Sequence, residues 1–457
     1  MFMGLTLENV GKMEINEFLG STLECQCGKP HSVNIDKIIV ENGAINKLPG
    51  VLAEMGCKNA LVVADSHTFE VAGKKVDELL TANNLKHKVF VYQSQGHLVP
   101  NEEAVGKLVL QVEKTTDVIV TVGSGSLNDL VKFASWLIKV PSVCVATAPS
   151  MDGYASDTSA LIIDNLKTSV TSDYPKVIIG DVDILKEAPM SMILAGFGDI
   201  IGKYSALNDW LISEIVNGEY HCSVTAKISS DAIEKCVTQM EGVKRREDDA
   251  IRNLMEGLVR TGIAMSFVGN SRPASGCEHH IAHFWEMAFL FAGKEALLHG
   301  TKVGMTSVIT AKLYELLTTA KIDFDKAISV AKAFDEKAWK EKVIAMYGKA
   351  SPGILKLSEK DGRNSIEKRI ARIQKIKENY EAIMKIAKAA PSAAKVRSLM
   401  ENAGAPVKPC QVGIDDATAL NGIIMAKEVR PRYSVLNLLS DVAILEDLAK
   451  EAAEYVK

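Results

Sequence analysis

Apolar residues in the first part of the chain fall in short, β-branched runs separated by stretches with helical spacing. Asn59-Ala-Leu-Val-Val-Ala64, Lys88-Val-Phe-Val-Tyr92, Asp117-Val-Ile-Val-Thr-Val122 and Ser142-Val-Cys-Val-Ala146 are continuous runs of strand length. Between them, 71–81, 102–113 and 127–138 carry apolar residues at helical spacing. Strands that are apolar on both faces and alternate with helices predict a parallel, helix-covered sheet. Ligands of such sheets bind at the carboxyl ends of the strands.

The pattern changes after Ala148. Ser159-Ala-Leu-Ile-Ile-Asp164 and Val177-Ile-Ile-Gly180 read as further short strands, with Asp164-Asn165 as a turn. From Pro189 onwards apolar residues recur at helical spacing, as at Leu254, Leu258 and Ile263 and later at Ile370, Ile373 and Ile376. No strand pattern of comparable strength follows. The run from Ser365 to Lys388 reads as a solvated amphipathic helix. The expected organisation is an α/β domain over 1–187 and an all-α domain over 188–457.

Composition narrows the class. The 457 residues carry 53 Lys and Arg against 57 Asp and Glu, a net charge of −4. That balance gives neither a nucleic-acid footprint nor a membrane-surface patch. No run reaches the ~20 apolar residues of a transmembrane helix. Residues 1–16 lack the basic and apolar regions of a secretory leader, so a cytoplasmic location is expected. The eight Cys are therefore expected as thiols rather than disulfides. Cys25-Gln-Cys27-Gly-Lys-Pro-His31 has the outline of part of a metal knuckle but offers only three soft ligands.

The stretch from Ser271 to Glu286 carries the densest candidate chemistry. It places His279 and His283 four residues apart, on one face of a helix. Leu297-Leu-His-Gly300 adds His299, and Gly196-Phe-Gly-Asp-Ile-Ile-Gly202 adds Asp199 in an apolar setting. One carboxylate with two or three imidazoles suits a divalent transition metal. Any one of these His residues alone also fits an ordinary core or surface histidine. Gly123-Ser-Gly-Ser-Leu-Asn-Asp129 follows a strand and opens a helix, where an anion meets backbone amides. It matches neither the dinucleotide fingerprint nor the Walker loop, and a plain tight turn has the same look. Asp65 ends a strand, where a carboxylate takes ribose hydroxyls or simply forms a turn. Thr147-Ala-Pro-Ser-Met-Asp-Gly-Tyr-Ala-Ser156 is a polar loop at the same sheet edge; Asp152 there suits either a substrate hydroxyl or an Asx turn.

Together these stretches resemble the sn-glycerol-1-phosphate dehydrogenases, especially the bacterial form. That family belongs to the glycerol dehydrogenase, iron-containing alcohol dehydrogenase and dehydroquinate synthase superfamily. The matching pieces are 123–129, 147–153, 195–203, Asp209-Trp210, Glu278-His279 through His283, His299-Gly300 and Arg430-Pro-Arg-Tyr-Ser434. The resemblance implies that Asp199, His279 and His299 ligate one divalent metal (zinc, nickel or iron). It implies that His283, Asp152 and Asp199 contact substrate, with Asp199 and His283 catalytic. It further implies that Gly123, Gly125, Ser126, Leu127, Asn128, Asp129, Thr147, Ser150 and Ser156 hold the nicotinamide dinucleotide, with Asp65 on its ribose. The implied fold is an α/β nucleotide domain followed by a helical metal- and substrate-binding domain, with the active site in the cleft between them, in a homodimer. Two departures stand out: a C-terminal half longer than in the shorter archaeal members, and Gly-Ser-Gly where relatives often carry three glycines. His280 has no assigned role.

The expected activity is therefore metal-dependent, reversible hydride transfer between NAD(H), or NADP(H), and dihydroxyacetone phosphate, giving sn-glycerol 1-phosphate. Arg272 and Lys203 are the candidate cations for the substrate phosphate; surface solvation of Arg272 and a packing role for Lys203 are the alternative readings. The alternatives are a glycerol dehydrogenase-like enzyme, a dehydroquinate synthase-like lyase, and a non-catalytic nucleotide-binding protein.

Overall fold

The computed structural model describes residues 4–93, 96–164 and 166–457. A six-stranded sheet of order β1-β8-β5-β4-β2-β3 is built from β1 (Lys37–Glu41), β2 (Asn59–Asp65), β3 (Lys86–Tyr92), β4 (Val118–Gly123), β5 (Ser142–Ala146) and β8 (Val177–Asp181). All its pairings are parallel. Successive side chains point to opposite faces. Accordingly Val118, Val120 and Val122 join one buried cluster, with Ala72, Val76 and Leu80. Ile119 joins the other, with Leu127, Leu130 and Val131 of the helix Gly125–Ile138. Cover on both faces explains why these strands read as unbroken apolar runs.

Two strands escaped the sequence pattern. β1 (Lys-Ile-Ile-Val-Glu) is an edge strand bracketed by charge. β7 (Leu166–Thr171) pairs antiparallel with β6 (Thr158–Ile163), but its Lys-Thr-Ser-Val-Thr run is mostly polar. Of the expected Asp164-Asn165 turn, Asp164 has φ +51° and Asn165 lies outside the described residues.

β-Structure ends before Pro189 among the described residues, and helices follow to the C-terminus. The chain forms two compact units that part elsewhere. One unit runs to Ile200 and takes back Ser223–Ser271; the other comprises Ile201–Cys222 and Arg272–Lys457. The helix Met190–Asn217 thus contributes to both. In the first unit the helix Asp248–Val268 buries Leu254, Leu258 and Ile263. In the second, the run from Ser365 is two helices, Ile366–Glu378 and Tyr380–Ala389, each burying an apolar stripe (Ile373 and Ile376; Ile383, Met384 and Ala387). No described helix is long and apolar enough to cross a membrane. No disulfide joins the eight cysteines.

Candidate functional site

In the first unit the chain order reverses between β2 and β4. From β2 it moves outward to β3, then returns to place β4 on the other side of β2. The crevice at such a reversal is where open α/β sheets bind ligands. Asp65 ends β2 on one side of it, and the Gly123-Ser-Gly125 turn follows β4 on the other. The helix that begins at Gly125 has no side-chain cap on Ser124. Its first internal donor is Asn128 N, bonded to Ser124 O at 2.9 Å. The amides of Gly125, Ser126 and Leu127 precede that bond, and such amides with the helix dipole favour an anion.

The two glycines serve different ends. A Cβ on Gly123 would sit 2.4 Å from Leu127 Cδ1, so its bareness lets the helix pack on its own strand. A Cβ on Gly125 would meet nothing nearer than Met151 Cγ at 3.6 Å, an ordinary contact. Spacing alone had treated them alike.

Side chains around the turn are largely occupied with one another. The Lys132 ammonium donates to Gly153 O, Ser156 O, Ser156 Oγ and Thr158 O at 2.6–3.3 Å, and pairs with Asp129 at 3.3 Å. Burial raises the Asp129 carboxyl, and Lys132 opposes that. Asn128 Nδ2 donates to Gly153 O at 3.4 Å, and Ser156 Oγ donates to Gly153 O and Thr158 O. Thr147 N donates to Gly123 O at 3.1 Å, extending the β4–β5 pairing. Tyr154 Oη closes the 147–156 loop on Ala148 O at 2.6 Å, and Ser150 is buried within it. Asp65 Oδ1 accepts from His67 N and Thr68 N at 2.9 and 2.8 Å, forming a helix cap. Lys132, which sequence reading missed, is the hub of this net; an unremarkable Lys in a helical run gave no signal.

The same loop positions Asp199. Asp152 N donates to Asp199 Oδ2 at 3.0 Å, and both residues are buried. The approach needs Gly196, whose added Cβ would fall 1.8 Å from Pro149 O.

In the second unit the helix Cys277–Phe291 carries His279 and His283, and the helix His299–Thr319 opens on His299. The three ring centroids form a triangle with sides 5.0 Å (His279–His299), 6.0 Å (His283–His299) and 6.2 Å (His279–His283). His279 Nδ1 lies 2.6 Å from Oε1 of the fully buried Glu278. Glu278 also accepts from Gly276 N at 2.7 Å and Ser205 Oγ at 2.8 Å. Burial would raise this carboxyl, but its donors, His279 first, hold it below the usual carboxylate range. An imidazole whose Nδ1 is fixed by a carboxylate presents Nε2 as a ligand. His283 Nδ1 lies 3.4 Å from Glu286 Oε2, and Lys302 Nζ lies 3.1 Å from Glu286 Oε1.

Asp209 anchors the start of the His279 helix. It accepts from Cys277 N and Val435 N, both at 2.7 Å, and from Tyr314 Oη at 2.6 Å. Burial, then the neighbouring Glu278 charge, raises its carboxyl to about 6. Burial also holds the Cys277 thiol well above its usual range, so Asp209, Cys277 and Glu278 read as a hydrogen-bonded clamp. His280 is wholly buried, and neither ring nitrogen has a hydrogen-bond partner among the described residues. Burial, with Arg432, Arg430 and Arg272 nearby, lowers its pKa well below the usual value.

The expectation for Arg272 is corrected. Its guanidinium is buried, forks onto both carboxylate oxygens of Glu219, and donates to Tyr433 O at 2.8 Å and Ser213 Oγ at 3.0 Å. It ties the segment before the His279 helix to its unit instead of facing a substrate. Lys203 is likewise wholly buried. With Arg272 bound to Glu219, the other arginines near His280 are the half-buried Arg430 and Arg432. Arg432 falls to about 9 through burial and the charges of Arg430 and Arg272.

A family model described as iron-containing alcohol dehydrogenase matches residues 39–189. The chain is 31% identical to glycerol-1-phosphate dehydrogenase [NAD(P)+] of Halalkalibacterium halodurans, over 92% of this chain and 96% of that one. It is 29% identical to the protein of the same name from Geobacillus thermodenitrificans, over 97% and 100%. An archaeal protein of that name, from Methanosarcina barkeri, is 33% identical over 61% and 76%. Among solved structures, glycerol dehydrogenase from Schizosaccharomyces pombe aligns with a TM-score of 0.57 at 16% identity, covering 92% of this chain and 91% of that one. Maleylacetate reductase from Rhizobium sp. aligns at 0.58 and 12%, covering 92% and 98%. At such identities the structural likeness speaks for the fold alone.

Proposed function

The chain belongs to the glycerol-1-phosphate dehydrogenases, and from that premise we propose that it reduces dihydroxyacetone phosphate to sn-glycerol 1-phosphate with NADH or NADPH, reversibly. The observation that carries this reading is the imidazole triangle of His279, His283 and His299, with His279 oriented by the buried Glu278.

His279 and His299 with Asp199 make a donor set that fits zinc, nickel or iron. Asp199 suits the role because a backbone amide already orients its carboxylate, as outer partners do for metal-binding carboxylates. A divalent ion held there supplies Lewis acidity to the substrate carbonyl. His283 is assigned to substrate: its Nδ1 faces Glu286, so Nε2 is the atom placed to give the product oxygen its proton, with Glu286 and Lys302 behind it. Asp152, on the loop that orients Asp199, is assigned to a substrate hydroxyl.

The uncapped Gly125–Leu127 amides hold the phosphates of the dinucleotide, whose reduced nicotinamide ring supplies the hydride. Asn128, Asp129 and Ser156 keep the loop beside them in shape with Lys132, while Thr147 and Ser150 hold it through backbone bonds to Gly123 O and Ala148 O. Asp65 takes the adenosine ribose and sets a preference for NAD(H) over NADP(H). The substrate phosphate goes to Arg430 and Arg432, two largely buried guanidinium groups beside His280. A cytoplasmic homodimer completes the reading, on the family resemblance.

The test is incubation with dihydroxyacetone phosphate and NADH, followed by an enzyme specific for glycerol 3-phosphate. Product that resists that enzyme is expected; product consumed by it, or faster turnover of unphosphorylated dihydroxyacetone, defeats the reading. Arg432→Ala should raise KM for the phosphorylated substrate about tenfold or more, the ~1.5–3 kcal/mol of a charge-assisted hydrogen bond. An unchanged KM removes Arg432 from the phosphate site.

A further inference from the structure

Residues 4–35 precede the sheet and contain only two short 3-10 turns and isolated bridges, yet they bury Leu5, Val10, Phe18 and Ile35. A segment so poor in regular hydrogen bonding needs some other fastening. Its end is a closed loop. Leu23 and His31 exchange both backbone hydrogen bonds, at 2.8 and 2.9 Å, and Gly28 N returns to Cys25 O at 2.9 Å. Gly28 has φ +83°, which permits that reversal at no steric cost. Cys25 and Cys27 stand inside the loop and His31 closes it.

We propose that Cys25, Cys27 and His31 bind a structural zinc ion at a site separate from the substrate centre. One sulfur each from Cys25 and Cys27 and one ring nitrogen of His31 lie within 4.8 Å of one another. Cys27 Sγ and His31 Nε2 are 3.4 Å apart. In a tetrahedral zinc site, bonds of ~2.3 Å to sulfur and ~2.0 Å to nitrogen place those two atoms about 3.5 Å apart. The imidazole is fixed in the tautomer a metal requires. His31 Nδ1 is 2.7 Å from Phe267 O, and a carbonyl can only accept, so Nδ1 carries the hydrogen and Nε2 the lone pair. The ring also stacks on Phe267, with centroids 5.2 Å apart and planes 13° from parallel.

The helix Ser223–Thr238 belongs to the same unit. That helix lies against the N-terminal segment: a Cβ on Gly11 would fall 2.6 Å from Asp231 Oδ2 and 3.5 Å from Lys227. Two thiolates and one imidazole are three of the four soft ligands that structural zinc takes. Zinc replaces the thiol protons, which leave to solvent, and no electrons are exchanged. The ion would hold the Cys25–His31 loop closed, with its imidazole resting on Phe267 of the helix Asp248–Val268.

The experiment uses the full-length chain carrying His279→Ala, which empties the substrate-centre metal position, purified under reducing conditions. About one zinc per chain is expected, and replacement by cobalt should give thiolate-to-cobalt charge-transfer absorption. Adding Cys27→Ser should abolish both, while Cys27→His, which restores a ligand, should keep the metal. Should the Ser variant fail to fold, the unaltered chain still decides: alkylation of Cys25 and Cys27 should be slow and should quicken on adding a zinc chelator. A reduced His279→Ala chain that takes up no zinc, cobalt absorption without the thiolate band, or alkylation indifferent to chelator each overturns the site. None of these readouts depends on dehydrogenase activity, so their failure leaves the proposed reaction untouched.

Discussion

At the carboxyl end of β4 the groups left for a ligand are backbone amides, while the polar side chains nearby bond to Lys132 and to the loop. On the helix that begins at Cys277 the arrangement is inverted. Imidazoles form the triangle, and backbone amides serve the buried carboxylates behind them: Gly276 N holds Glu278, and Cys277 N holds Asp209. The first design depends on bare backbone at the turn rather than on particular polar side chains. The second depends on individual side chains and on the carboxylates that aim them. Substitutions in the two regions should therefore fail differently.

The largest effect is expected at the triangle. His279→Ala should remove the substrate-centre metal and lower kcat/KM by about a thousandfold or more, the several kcal/mol that Lewis-acid catalysis supplies. His283→Ala should reduce turnover with that metal retained. Metal content and circular dichroism on both variants check this; metal lost from the His283 variant but kept in the His279 variant reverses the assignment of the pair.

Next comes the carboxylate behind the ligand. Glu278→Gln keeps the side-chain shape but loses the charge that orients His279, so metal affinity should fall about 10–100-fold. Metal competition titration measures it. Affinity equal to that of the unaltered protein would mean Glu278 serves the packing with Ser205 rather than the imidazole.

The sheet region is tested by its two glycines. Gly123→Ala places a methyl 2.4 Å from Leu127 Cδ1 and should cost about 1–3 kcal/mol of stability through overpacking. Gly125→Ala meets only Met151 at 3.6 Å, so stability should hold while the added methyl crowds the phosphate and raises KM for the dinucleotide severalfold. Thermal denaturation and cofactor titration separate the two outcomes. A Gly125→Ala protein with unaltered cofactor KM would move the phosphates away from this turn.

The contrast also explains what could be read from sequence. The central strands were legible because both faces are buried and their inner residues are nearly all apolar; Ser142–Ala146 coincides with β5. β1 and β7 were not, since an edge strand and the partly exposed arm of a hairpin need no such run. The boundary at Pro189 marks a change of element type, but the units divide within the helix Met190–Asn217, because the helices Ser223–Thr238 and Asp248–Val268 pack back on the sheet unit. The His279/His283 spacing was visible because helical periodicity alone sets it. The fate of Arg272 was invisible: nothing local announces that Glu219, 53 positions away, will claim its guanidinium. The same holds for Gly196, whose need arises from the distant carbonyl of Pro149.

The smallest effect is expected at Asp65, where the two regions' logics meet in one side chain. Its Oδ1 caps the short helix Ser66–Thr68 through the amides of His67 and Thr68, and Thr68 Oγ1 accepts from Asp65 N at 3.0 Å. Serine caps helices about as well as aspartate, so Asp65→Ser should change stability by only a few tenths of a kcal/mol. What it removes is the negative charge at the carboxyl end of β2, which disfavours the 2′-phosphate of NADP(H). Lys74 does not compensate, since it pairs with Glu70 at 2.5 Å. The unaltered protein should therefore prefer NADH, and Asp65→Ser should narrow the gap in kcat/KM between NADH and NADPH by about tenfold or less, a change of up to ~1.4 kcal/mol. Equal efficiency with both cofactors in the unaltered protein, or a gap that survives the substitution, would leave Asp65 as a helix cap alone.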